Sequence, residues 1–187
     1  IDPFTGYGYL FYGKSQQYGA IFYSPFLMPD APYFKDMFQE GILKHTSLTA
    51  YLPLVGAAGG LAFCRTQDRH PFTRILKVCV VCAFVPVLNS AFYALNSSFY
   101  ARWYYMPILV LCGATCCLLS RPALAERSLP RAFGLTTFIT LTAAVFAVLP
   151  NKDSDGNFCL GVLEEPARFW ALFGVTVLGI VIFALLW

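Results

Sequence analysis

Polar and apolar positions alternate along this chain in long blocks, not at the short period of a half-buried strand. Five runs hold no charged residue: 46–64, 78–95, 103–119, 132–149 and 169–187. Each approaches the roughly 20 residues that a helix needs to cross the hydrocarbon core of a bilayer. Core helices of a large soluble protein reach similar lengths, but five of them in 187 residues leave too little polar sequence for a water-facing shell. The blocks predict an all-α integral membrane fold with about five transmembrane helices in 46–187.

Residues 1–45 read differently. Gly6, Gly8, Gly13 and Gly19 interleave with Tyr7, Tyr9, Phe11, Tyr12, Tyr18, Phe22 and Tyr23, a composition poor in regular helix, and Pro25, Pro29 and Pro32 punctuate the next stretch. Tyr33, Phe34, Met37, Phe38, Gly41 and Ile42 then recur at helical spacing opposite Lys35, Asp36, Gln39 and Glu40. That is the pattern of a short helix lying in a membrane interface. The expected organisation is an aromatic-rich arm over 1–45 and a multispan region over 46–187. With Ile1 at one end and a last run that stops at Trp187 without a polar flank, the sequence reads as a segment of a longer chain.

Composition strengthens the membrane reading. Hydrophobic residues make up 58% and charged residues 12%, with a mean hydropathy of +0.61, where a soluble domain is about 25% charged. The 18 Phe, 11 Tyr and 3 Trp crowd the segments between runs, as rings do at the membrane–water boundary. No signal-peptide pattern of basic, apolar and small-residue regions is visible.

Charge then orients the spans. Arg65, Arg69, Arg74 and Lys77 face Asp68 alone between the first two runs, and Arg121, Arg127 and Arg131 face Glu126 between the third and fourth. Opposite them stand Arg102, and a 150–168 loop where Lys152 and Arg168 meet Asp153, Asp155, Glu164 and Glu165. The positive-inside rule makes the first two segments cytoplasmic and puts the arm, the 96–102 turn and the 150–168 loop outside. The expected partners are membrane lipids, not nucleic acid.

Candidate chemistry is sparse. Gly56 and Gly60 form a G-x-x-x-G that lets two helix backbones approach. Asn89, three residues after Pro86, is an amide inside a span and calls for a hydrogen-bond partner. Cys79 and Cys82 spell C-x-x-C without a second pair or a histidine cluster, so the cysteines read as small apolar filler. The stretch 151–157 resembles the first half of a calcium loop, but Val162 stands where the bidentate Glu belongs. No metal and no cofactor is expected. His45 and His70 have no evident partner, and no nucleophile elbow, phosphate-binding loop or zinc-protease motif occurs.

The 96–105 turn is the most informative segment, because it sets the lone guanidinium of Arg102 among the rings of Phe99, Tyr100, Trp103, Tyr104 and Tyr105. An arginine there either anchors the chain at the interface or clamps a lipid phosphate through its planar fork.

Two stretches resemble the bacterial YfhO family of large multispanning membrane proteins. One comprises Phe26-Leu27-Met28-Pro29-Asp30-Ala31-Pro32 and the Lys44-His45-Thr46-Ser47-Leu48-Thr49-Ala50-Tyr51-Leu52-Pro53-Leu54 start of the first run. The other is the aromatic turn 96–100 with Arg102-Trp103. The resemblance covers about 22–111 and implies a glycosyltransferase of the bacterial cytoplasmic membrane. Such an enzyme passes a sugar from a polyprenyl-phosphate donor to a teichoic acid or other envelope glycan outside the cell. It implies a phosphate site from Arg102, with Lys44, Tyr100, Trp103 and Tyr104 around it, and an acidic base in an early outward loop not contained in this stretch. The alternatives are a transporter or lipid flippase, which would set ionisable residues within its spans, and a noncatalytic scaffold for envelope assembly.

Overall fold

A computed structural model describes residues 15–28, 50–52, 56–92, 94–95, 102–152, 158–160 and 166–187. The fold is helical: α1 (Ser15–Tyr23), α2 (Gly56–Thr66), α3 (Pro71–Phe84), α4 (Pro86–Ala91), a 3-10 turn (Arg102–Tyr104), α5 (Tyr105–Leu119), α6 (Pro122–Val148) and α7 (Pro166–Leu186). A two-stranded antiparallel ladder, β1 (Pro150–Lys152) and β2 (Phe158–Leu160), pairs Asn151 with Cys159 between α6 and α7.

Local chemistry sets these boundaries. α3 starts at Pro71, whose missing N–H would be unpaired there in any case, and His70 caps the helix by accepting the Phe72 N–H at 3.2 Å through Nδ1. The histidine without an evident partner in sequence is thus a cap, and its ring also meets Phe63 edge-on. α3 stops because Pro86 forces Val85 into an extended conformation, φ −93° and ψ 111°. The single span expected over 78–95 is therefore two helices, α3 and α4. Beyond α4, Ala94 and Leu95 take left-handed backbone angles and the Leu95 N–H returns to the Ser90 carbonyl at 2.9 Å.

Among the described residues of the span expected over 46–64, 50–52 are not helical and 56–64 belong to α2. A Cβ at Gly56 would collide with the Leu52 side chain. The expected 103–119 and 169–187 spans correspond to the 3-10 turn with α5, and to α7. The span expected over 132–149 is the second part of α6, which begins ten residues earlier, at Pro122. The basic segment 121–131 is thus helical after its first residue. Buried Ala125, Leu129, Ala132, Thr136, Thr140 and Ala143 succeed one another at three- and four-residue steps, while Glu126, Arg127 and Arg131 stay exposed on the other side.

α2 is the central element and packs against α5 and α6. Ala58, Ala62 and Phe63 of α2, Leu76 of α3, Ala114 and Leu118 of α5, Ala125, Leu129 and Ala132 of α6 and Phe183 of α7 form one core. Because Phe63, Leu118 and Ala125 meet in it, the two basic segments lie at the same end of the bundle. At that end Lys77 donates to the Asp68 carboxylate, and this bond and charge hold the Asp68 carboxyl below the usual carboxylate range.

The segment expected to be poor in helix contains α1. Tyr23 and Leu27 pack on Ala143 of α6 and Phe169 of α7. The chain after α1 is docked by threonines: the Met28 N–H donates to Thr176 Oγ1 at 3.1 Å, Thr140 Oγ1 donates to the Phe26 carbonyl at 3.4 Å, and Tyr23 and Thr142 join through their hydroxyls at 3.0 Å. The interfacial helix expected over 33–43 lies outside the described residues.

Among the described residues one helix, α7, is long and apolar enough to cross a membrane, and only 17% of its most apolar stretch is buried within the protein. The apolar helix α5 is shorter, at 15 residues.

Candidate functional site

The end of the bundle opposite the basic segments carries the Arg102 turn. The end of α3 at the extended Val85 leaves the Ala83 carbonyl among the last-turn acceptors that lack a helical donor, and Asn89, completely buried, supplies one: its Nδ2 donates to that carbonyl at 3.1 Å. The Asn89 Oδ1 accepts the Trp103 indole N–H at 3.4 Å. Trp103 stacks on Phe92 with centroids 4.4 Å apart and planes 11° from parallel, and leans on Tyr104 at 4.8 Å. One amide thus staples the α3–α4 break to the start of α5.

Of the phosphate site expected around Arg102, the described side chains are those of Trp103 and Tyr104. Trp103 and Tyr104 are each 4% exposed and pack with Ile21, Ala50, Cys79 and Ala83. The indole N–H is committed to Asn89, and both rings line an apolar interior, so neither presents a polar group to a headgroup. Lys44, Tyr100 and the Arg102 side chain lie outside the described residues. The structure fixes only that the Arg102 backbone begins the 3-10 turn directly before those two buried rings.

Behind the rings lies a cleft of about 370 Å³ bounded by α1, the segment after it, α2, α3 and α5. Its described lining is apolar except for Ser24, Cys64, Cys79 and Tyr104, and it includes no charged residue. The Ser24 hydroxyl is already engaged, donating to the Ile21 carbonyl at 2.8 Å. Small residues make the space, with Ala57 of α2, Ala83 of α3 and Ala50 standing where larger side chains would fill it. No family model, no curated protein and no solved structure matches this chain.

A second void, about 30 Å³, lies where Tyr51 and Pro25 meet Thr136, Thr137, Thr140 and Thr176. Its threonines bond mostly to carbonyls of their own helices: Thr136 donates to Phe133, Thr176 to Leu172, and the single Thr140 hydroxyl proton is shared between the Thr136 carbonyl at 2.9 Å and the Phe26 carbonyl at 3.4 Å. Among the described residues the Thr137 hydroxyl is buried without a partner, in a space with room for a water.

Cys64, Cys79, Cys82, Cys112, Cys116 and Cys117 are free thiols, and Cys79 is buried in the core beside Trp103. Asp153 and Asp155 lie outside the described residues, between strands that close a hairpin. The cleft itself escaped sequence reading, because its walls come from five segments far apart in the chain. The Asn89 clamp had a local signal in Pro86 three residues before an amide in an uncharged apolar run, but nothing in the sequence pointed to Trp103 as its partner.

Proposed function

We propose that this chain is the membrane-embedded helical part of a multi-pass protein, with α2 to α7 in the bilayer. The observation that supports this most directly is bare apolar surface. Val78 of α3 is 60% exposed, Leu109 of α5 71%, Phe138 of α6 64% and Leu185 of α7 81%, each amid further exposed Val, Leu or Ile. Such faces on four helices far exceed the isolated apolar patches of a soluble monomer, and they match the requirement of a lipid solvent. In this reading the basic end is cytoplasmic and the Arg102 turn lies at the outer headgroup level.

For the activity we adopt the reading implied by the YfhO resemblance: transfer of a sugar from a polyprenyl-phosphate donor to an envelope glycan outside the membrane. Arg102, with Lys44 and Tyr100, is the candidate clamp on the donor phosphate, while Trp103 and Tyr104 serve as the packed base of the turn. Incubating the full-length protein with a polyprenyl-phosphate sugar and an envelope acceptor tests this. Arg102→Ala should weaken donor binding by about 2 kcal/mol, roughly thirtyfold, the worth of a charge-assisted hydrogen bond. Arg102→Lys should lose less, since it keeps the charge but not the two-oxygen fork. Full transfer by a correctly inserted Arg102→Ala protein would make Arg102 an interfacial anchor and end the clamp assignment.

A further inference from the structure

We infer that the cleft behind Trp103 is a lipid port, occupied by one acyl chain of a bilayer phospholipid inserted between α1, α2, α3 and α5. This inference rests on the membrane reading above.

Water is a poor occupant. A trapped water needs two to four polar partners, and the lining offers little beyond the engaged Ser24 hydroxyl and the Tyr104 phenol. An empty space of this size is equally foreign to protein interiors, whose voids are few and rarely exceed a water molecule. The occupant is therefore apolar.

The rim identifies its source. Phe22 and Val80 line the cleft and are also exposed on the outer surface of the bundle. Val80 continues the bare face that Val78 and Val81 form on α3. The cleft thus opens sideways past Val80, through the α3 face that the membrane reading places against lipid tails. With no charged residue in the described lining, nothing there selects a headgroup, so the chain that enters is the one most concentrated at the opening, a phospholipid acyl chain. The volume lies within the range of roughly 300–1,000 Å³ typical of small-molecule pockets.

Trp103 gives a direct readout, since it lines the cleft yet is 4% exposed, whereas Trp170 on α7 is 44% exposed. The full-length protein is prepared in two forms, one keeping only Trp103 and the other only Trp170, with every other tryptophan replaced by phenylalanine. Each is reconstituted in phosphatidylcholine vesicles whose acyl chains carry bromine at successive depths. Bromine quenches indole emission only near contact. Both tryptophans should lose most of their emission at some depth. Ala57→Leu and, independently, Leu61→Phe, which fill the cleft from α2, should restore Trp103 emission and leave Trp170 quenched. Bright Trp103 beside quenched Trp170 would overturn the port while leaving the membrane reading intact. If neither tryptophan is quenched, the membrane reading itself fails. Recovery of Trp103 emission on adding a small fraction of polyprenyl phosphate would overturn the acyl assignment in favour of an isoprenoid chain.

Discussion

Asn89→Leu should destabilise the fold by about 2 kcal/mol, although leucine is close to asparagine in size and better suited to an apolar interior. The substitution removes the donor that satisfies the Ala83 carbonyl and the acceptor of the Trp103 N–H together. An orphaned buried polar group costs about 1–3 kcal/mol, and under the proposed membrane reading the lower end applies, because helices in lipid find substitute partners more readily than an aqueous fold does. Adding Trp103→Phe removes one of the two orphans. The double variant should therefore be less destabilised than the sum of its parts. Unfolding in detergent micelles, followed by near-ultraviolet circular dichroism, measures both. A neutral Asn89→Leu would show that the amide does not hold the α3–α4 break.

Gly59→Leu should be at least as damaging, by about 3 kcal/mol, at the upper end of what overpacking a tight contact costs. A Cβ at position 59 would lie 2.6 Å from Thr115 Cγ2 and 2.7 Å from its Oγ1, so α2 and α5 must separate. That separation also strains the Thr115 hydroxyl, which donates to the Gly56 carbonyl at 3.5 Å. The control is Gly134, in the exposed face of α6, where a Cβ meets nothing within 4 Å. Gly134→Ala should stabilise slightly, by about 0.5 kcal/mol, through the better helix propensity of alanine. Equal effects at the two glycines would remove the close-packing role of α2.

How much of the fold was legible in sequence depends on how local each determinant is. α5 and α7 lie close to their expected runs because uninterrupted apolar sequence specifies them alone. The small residues of α2 announced close packing, which Gly59 and Gly60 make against Thr115 and Leu111. The break at Val85 was readable in principle from Pro86, but an uncharged run takes no account of a missing N–H. The N-terminal part of α6 carries charges that resemble a loop until they are assigned to a helix face. Arg127 and Arg131 occupy the side away from the Ala125–Leu129–Ala132 stripe. Docking of the segment after α1 was beyond sequence reading, since Met28 and Thr176 are 148 residues apart and a threonine in an apolar run has no period that marks its partner. Trp103 and Tyr104 looked like interface rings by composition, but both pack inward against Ile21, Cys79 and Ala83, and Asn89 accepts the Trp103 N–H there.

The central claim is that this bundle crosses a membrane several times with both basic segments on one side. Single cysteines at Arg69, Arg127 and Ser154, placed in the full-length protein after its native cysteines are replaced, test this with a membrane-impermeant maleimide on intact cells. Arg69 and Arg127 are exposed at the basic end, whereas Ser154 lies in the acidic 150–168 segment between α6 and α7. The account predicts that Ser154→Cys is labelled on intact cells and that the other two react only after the membrane is opened. Labelling of Arg69→Cys and Ser154→Cys from the same side would contradict it.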